Sequence, residues 1–167
     1  YGSEMSFTTL SDTEAPTGSI SINSNATYIN SSTVTLSLSA TDNLGVTGYY
    51  LSTSSSTPAA SDTDWTSVTS TNSYSSNVSY TLSSGDGNKT VYVWFKDNSG
   101  NVSSAFSDSV ILDTTAPTIT ITSPTTNTIY TVTSSVIAIG GNASDSISGL
   151  SSVTWSNNKG GSGTASG

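Results

Sequence analysis

The hexapeptide Asp12-Thr13-Glu14-Ala15-Pro16-Thr17 returns, with one substitution, as Asp113-Thr114-Thr115-Ala116-Pro117-Thr118, 101 residues further on. A second block keeps nearly the same spacing. Ala40-Thr41-Asp42 followed by Gly45-Val46 reappears as Ala143-Ser144-Asp145 followed by Gly149-Leu150. A period of about one small domain means an array of similar modules rather than one globular enzyme. The repeat sets the expected organisation: a complete module over 11–113, the N-terminal half of a second over 114–167, and in 1–10 the last strand of a preceding one. On that reading the chain is a segment of a longer array.

Cysteine and histidine are absent, and the only basic residues are Lys89, Lys96 and Lys159. A net charge of −8 argues against a phosphate-binding surface, so nucleic acid is not an expected partner. No apolar run is long enough to span a membrane. Ser and Thr make up about two-fifths of the chain, a bias that signals disorder when apolar residues are sparse and scattered. Here they alternate instead, and Thr suits a pleated surface. The absence of disulfides leaves stiffening to other means. Such a Thr/Ser-rich, Lys-poor, acidic β chain is typical of secreted surface proteins, so an extracellular location is expected.

No stretch keeps a helical period; short alternating runs bounded by Gly, Asn, Asp, Ser and Pro dominate. Ile20 and Ile22 mark the first strand, and Val34, Leu36, Leu38 and Ala40 the second. Tyr49 and Leu51 point inward from the third, and Trp65 follows in a polar stretch. Val78, Tyr80 and Leu82, then Val91, Val93 and Phe95, then Val110 and Leu112 complete the module. Ser84-Gly85-Asp86-Gly87 and Asn98-Ser99-Gly100-Asn101 read as turns. The second module starts alike, with Ile119 and Ile121, Val136 and Ala138, then Val153 and Trp155 before the Gly-rich stretch Lys159–Gly163. The fold class is all-β, a tandem of sandwiches of about 100 residues each.

The linker Asp12-Thr13-Glu14-Ala15-Pro16, the strand exit Ser39-Ala40-Thr41-Asp42, and Thr90-Val91-Tyr92-Val93 through Lys96-Asp97-Asn98-Ser99-Gly100-Asn101-Val102-Ser103 carry a family resemblance. Residues 12–113 resemble a bacterial immunoglobulin-like (Ig-like) repeat of large cell-surface and adhesin proteins. Residues 114–167, marked by Val153-Thr154-Trp155-Ser156-Asn157, resemble the first half of a related module. Residues 1–10, ending in Ser6-Phe7-Thr8-Thr9-Leu10, resemble the last strand of a fibronectin type III-like domain. The resemblance implies a spacer or adhesive role, since such modules are rarely catalytic.

The residues agree that the chain is not an enzyme. Serines and aspartates abound, but there is no His to act as base and no Cys nucleophile. Asp62 and Asp64 could pair as carboxylates, yet sit in a polar loop that reads as solvated. Calcium has a better case. In an Ig-like sandwich the incoming linker, the loop after the second strand and the last hairpin turn share one pole. That gathers Asp12, Asp42 and Asp97, with Asn43, Asn98 and Asn101 supplying amide oxygens. Ca²⁺ takes roughly 6–8 oxygens in irregular geometry, and related adhesin repeats bind it at module junctions. The bland reading is that Asp97-Asn98-Ser99-Gly100 forms a tight turn whose Asp accepts backbone N–H bonds. Asp113 and Asp145 would be the equivalent pair in the second module.

Alternation places Tyr92 and Trp94 on the outer face, with Tyr50 beside them, as a platform for a sugar ring or a cross-strand packing cluster. Asn25, Asn30, Asn77, Asn88, Asn101 and Asn142 begin Asn-X-Ser/Thr sequons. The expected function is a non-catalytic spacer of an extracellular multi-domain surface protein, an adhesin stalk or filament component. The alternative is a carbohydrate-binding accessory module of a secreted enzyme. Expected partners are neighbouring modules of the same or another copy, and cell-surface glycans. A half-module leaves Ile119, Ile121, Val136, Ala138 and Trp155 with only part of a core, so continuation of the chain or a strand from another copy is expected to cover them.

Overall fold

The computed structural model describes residues 11–134, 136–157 and 160–165. The chain divides at Leu112/Asp113 into two compact units. The strand expected within 1–10, and Lys159 of the Gly-rich stretch, lie outside the described residues.

The first unit is an all-β, Ig-like sandwich built from β1 (Thr17–Ile22), β2 (Tyr28–Ile29), β3 (Thr33–Ser52), β4 (Thr66–Thr81), β5 (Gly87–Asp97) and β6 (Phe106–Leu112). The second and third strands expected from the sequence are one 20-residue strand, β3. Its first half pairs antiparallel with β1, in register Thr17↔Thr41 to Ile22↔Leu36. Its second half pairs with β5, from Val46↔Asp97 to Ser52↔Tyr92. A bulge over Asp42–Gly45 turns the strand from one layer into the other. There the Asp42 carboxylate accepts the N–H groups of Leu44 and Gly45 at 3.0 and 2.7 Å, and Gly45 supplies φ +110°. β4 pairs with both halves of β3, and β6 joins β5.

The chain also changes layers between β1 and β2. β2 pairs in parallel with β6, Tyr28↔Ile111 and Ile29↔Leu112. The switch is a turn in which Ala26 N–H donates to the Ile22 carbonyl. Asp108 on β6 accepts the Ile22 N–H at 2.7 Å, closing the gap between the layers.

Alternation fills the space between the layers. Ile22, Val34, Leu36, Leu38 and Ala40 from one face meet Val46, Tyr49, Val91, Val93, Phe95 and Val110 from the other. Leu51, Val78 and Tyr80 pack at the margin. Fully burying one such side chain contributes ~1.5–3 kcal/mol.

The second unit contains β7 (Thr118–Ser123), β8 (Gly140–Ser144), β9 (Thr154–Ser156) and β10 (Ser162–Thr164). β7 pairs with β8 in register Thr118↔Ser144, the counterpart of Thr17↔Thr41. Both pairs join their hydroxyls, at 2.9 and 3.2 Å. Thus the sequence repeat is also a structural one. Val136 and Ala138, expected in the second strand, precede it. Pro124 lacks an N–H and ends β7, so residues 136–139 have no partner opposite them among the described residues. Ile119, Ile121, Val136 and Trp155 are exposed. β9 pairs antiparallel with β10, and Asn157 N–H donates to the Gly161 carbonyl at 2.8 Å.

Candidate metal centre

Three segments far apart in sequence meet at one pole of the first unit. Asp12 lies in the stretch before β1, Asp42 in the β3 bulge, and Asp97 ends β5. One carboxylate oxygen from each lies within 4.8 Å of the others. The sequence-predicted trio is therefore brought together.

Asp97 is 3% exposed and held by three donors. Its Oδ1 accepts the N–H groups of Ser99 and Asn101, each at 2.8 Å. Its Oδ2 accepts Asn101 Nδ2 at 2.7 Å. The same amide donates to the Asp12 carbonyl at 3.2 Å, fastening the incoming segment to the turn after β5. Asp42, 9% exposed, uses Oδ1 for the bulge. Asp12 Oδ1 accepts Glu14 N–H at 3.1 Å and, weakly, Asn43 Nδ2 at 3.5 Å. Asp12 Oδ2 differs: it is out of contact with solvent and has no hydrogen-bond donor. Asn98 is exposed on the turn.

The turn-forming reading accounts for every bond to Asp97 and Asp42 but not for Asp12 Oδ2. Nor does a lysine among the described residues offset the charge. Lys96 reaches away to the Ala60 carbonyl and lies 4.8 Å over the Trp65 ring, while Lys89 donates to the Ser84 carbonyl. At an effective dielectric of ~20, each pair of carboxylates at this spacing repels by on the order of 3 kcal/mol before screening. Three carboxylate oxygens converge, one from each Asp, with the Asp12 carbonyl and the Asn101 amide hydrogen-bonded to each other beside them. That is an oxygen-only set of the kind a hard cation takes.

The second unit places Asp113 and Asp145 similarly but satisfies them differently. Asp113 accepts Thr115 N–H at 3.1 Å and Ser148 N–H at 3.0 Å. Asp145 Oδ1 accepts the N–H groups of Ile147, Ser148 and Gly149. The Ile147 N–H is the main cause holding the Asp145 carboxyl below its ordinary value.

The aromatic trio lies elsewhere. Trp94 is on the outer face, as alternation requires, yet is 0% exposed. The segment from Thr53 to Trp65 packs on its outer-face neighbours Tyr50 and Lys96. Trp65 donates its indole N–H to the Ala59 carbonyl at 2.9 Å and meets Tyr50 edge-on at 5.6 Å. Tyr50 in turn meets Trp94 edge-on, and Tyr92 stacks on it. Tyr92 alone of the three lines a cavity of about 330 Å³, with Thr53, Asn88, Lys89 and Thr90. Sequence reasoning missed this cover. Its signal was Trp65 and Pro58 in an otherwise polar run.

Residues 117–167 match the bacterial Ig domain family. The match falls within the second unit, whose linker and first strand pair repeat in the first. No curated protein and no solved structure matches the chain. Bacterial Ig domains are typically non-catalytic structural modules. The described residues contain no helix long and apolar enough to cross a membrane.

Proposed function

We propose that this chain is a spacer segment of a bacterial surface protein, an adhesin stalk or filament component, whose first module is stiffened by Ca²⁺ held by Asp12, Asp42 and Asp97. The bacterial Ig match supports the structural role, and such domains typically occur in extracellular or surface proteins. The convergence of three carboxylates, one of which has an oxygen that no donor reaches, carries the calcium reading. Rotation of the Asn101 amide would turn it from donor into ligand. Bound Ca²⁺ would pin Ser11–Pro16 to the bulge of β3 and the end of β5. The test is thermal melting with millimolar Ca²⁺ and with chelator, on wild type and Asp42→Ala. Ca²⁺ at a hundredfold excess over Kd stabilises the wild type by about 2.7 kcal/mol and leaves Asp42→Ala unmoved. Coincident wild-type curves would mean that the aspartates only form turns.

A second reading is favoured by the cavity beside Tyr92: a sugar-binding accessory role, with the ring stacked on a pyranose and Asn88 and Thr90 as hydrogen-bonding groups. Binding on a glycan array that Tyr92→Ala abolishes would replace the spacer reading.

A further inference from the structure

β4 runs along one side of the sandwich, 16 residues from Thr66 to Thr81, or about 50 Å of strand. It pairs only with β3 among the described residues, so it is an edge for both layers. Edge strands are normally blunted by Lys, Pro, charge or brevity. β4 has none of these. From Thr66 to Thr81 there is no charged residue, proline or glycine, in a chain of net charge −8.

Three hydrogen bonds fix which backbone groups face outward. Leu82 N–H donates to the Ser32 carbonyl, so Thr81, opposite Thr33, does not bond to β3. Register is unbroken from Thr81↔Thr33 to Ser73↔Thr41, so the odd-numbered residues from Ser73 to Thr81 all face outward. Ser73 confirms the phase. Its N–H and carbonyl are both taken by the Thr71 hydroxyl, at 3.3 and 2.9 Å, which local bonding allows only if β3 leaves them free. This leaves Ser75, Asn77, Ser79 and Thr81, all exposed and uncharged, as a continuous outward row ending at the Thr71 plug.

We propose that this row is a docking edge for a second copy of the chain. The two β4 strands pair antiparallel about a two-fold axis at Val78. That register sets Ser75 opposite Thr81 of the other copy and Asn77 opposite its Ser79. It is the register that uses all four outward residues, giving about eight N–H···O=C bonds. The partner is a copy rather than a basic protein because the row holds no charge to attract one. Two chains that repel at −8 each can meet only along a strip where no carboxylate faces another. The inference is independent of the cation reading, since the outward row Ser75–Thr81 supplies no carboxylate to the acidic pole and only Asn72, beyond the Thr71 plug, reaches it, through the Asn43 carbonyl.

Sedimentation velocity on the 167-residue chain tests it, together with concentration-dependent hydrogen exchange. A dimer is expected, favoured by added salt because screening reduces the repulsion. Exchange protection should rise with concentration at Ser75, Asn77, Ser79 and Thr81 and not in β7 or β8. Asn77→Lys/Ser79→Lys places like charges opposite each other and should weaken the dimer by about tenfold or more. Mixing it with Asn77→Asp/Ser79→Asp should restore pairing as a heterodimer. These positions are exposed, so both variants should melt as sandwiches. A wild type that stays monomeric at millimolar concentration, a Lys variant that dimerises equally well, or protection that rises in the second unit instead would each overturn the proposal.

Discussion

Asn23, Ser24 and Asn25 hold φ values of 44°, 59° and 63° in succession. This left-handed turn carries the chain from β1 in one layer to β2 in the other. Asn tolerates it because its short amide bonds locally. Asn23 is held instead across the sheet: its Oδ1 accepts Thr35 N–H of β3 at 2.8 Å, while its own N–H donates to the Thr35 carbonyl at 2.9 Å. Ser24 has no comparable bond to justify its conformation. A left-handed residue with a Cβ costs ~1–2 kcal/mol, and glycine's extra freedom in the unfolded chain costs ~0.5–1 kcal/mol. Ser24→Gly should therefore stabilise the first unit by about 0.5–1 kcal/mol, raising its melting temperature by a few degrees. Ser24→Val, β-branched at the same φ, should lower it. Denaturant titration of the pair checks the sign, and a Gly variant less stable than the Val variant sinks the account.

At the scale of elements, the segment 53–65 is a cover rather than a connection. It sets Trp65 against Tyr50 and Lys96, which flank Trp94, and uses Asp62 to hold itself, with Ala59 N–H donating to the Asp62 carboxylate and Asp62 N–H to the Ala59 carbonyl. Trp65→Ala removes the centre of this cover and should cost ~3–5 kcal/mol. Trp94 fluorescence should become open to iodide quenching; unchanged quenching would show that the segment covers Trp94 without Trp65. Such elements mark the limit of what sequence conveys. Val34 to Ala40, Val91 to Phe95 and Val110 with Leu112 announce their strands because large apolar side chains alternate there. The stretch Thr66–Asn77 does not, since its strand state comes from pairing with β3 rather than from its Ser, Thr and Asn side chains. The β3 bulge reads as a loop for a related reason: Asp42-Asn43-Leu44-Gly45 is turn-like composition, and only the pairing with β4 on both sides of it shows that the strand passes through. The acidic trio was legible because a sandwich has few poles. The solvent-free Asp12 oxygen was not, because it depends on atomic packing around a linker.

Across the whole molecule, charge is the quantity left unbalanced. Eleven acidic residues face three lysines, and the two lysines in described segments hold backbone carbonyls instead of carboxylates. Two effects of added salt must then be separated. General screening acts over about 8 Å at physiological ionic strength, so monovalent salt should raise the melting temperature in chelator modestly and alike in all variants. A cation at the acidic pole acts only there, and by mass action. Asp12→Asn distinguishes them with opposite signs. In chelator it removes one of three mutually repelling carboxylates, the one with an oxygen that neither solvent nor an N–H reaches, so it should be about 0.5–1 kcal/mol more stable than wild type, a share of the unscreened repulsion. In Ca²⁺ at matched ionic strength it loses a ligand and should fall below wild type. A crossing of the two stabilities between chelator and Ca²⁺ is the expected outcome, read from paired melting curves. If Asp12→Asn shifts by the same amount in both, the pole responds to charge alone, and stiffness in this module rests on packing and on the Ala15-Pro16 backbone.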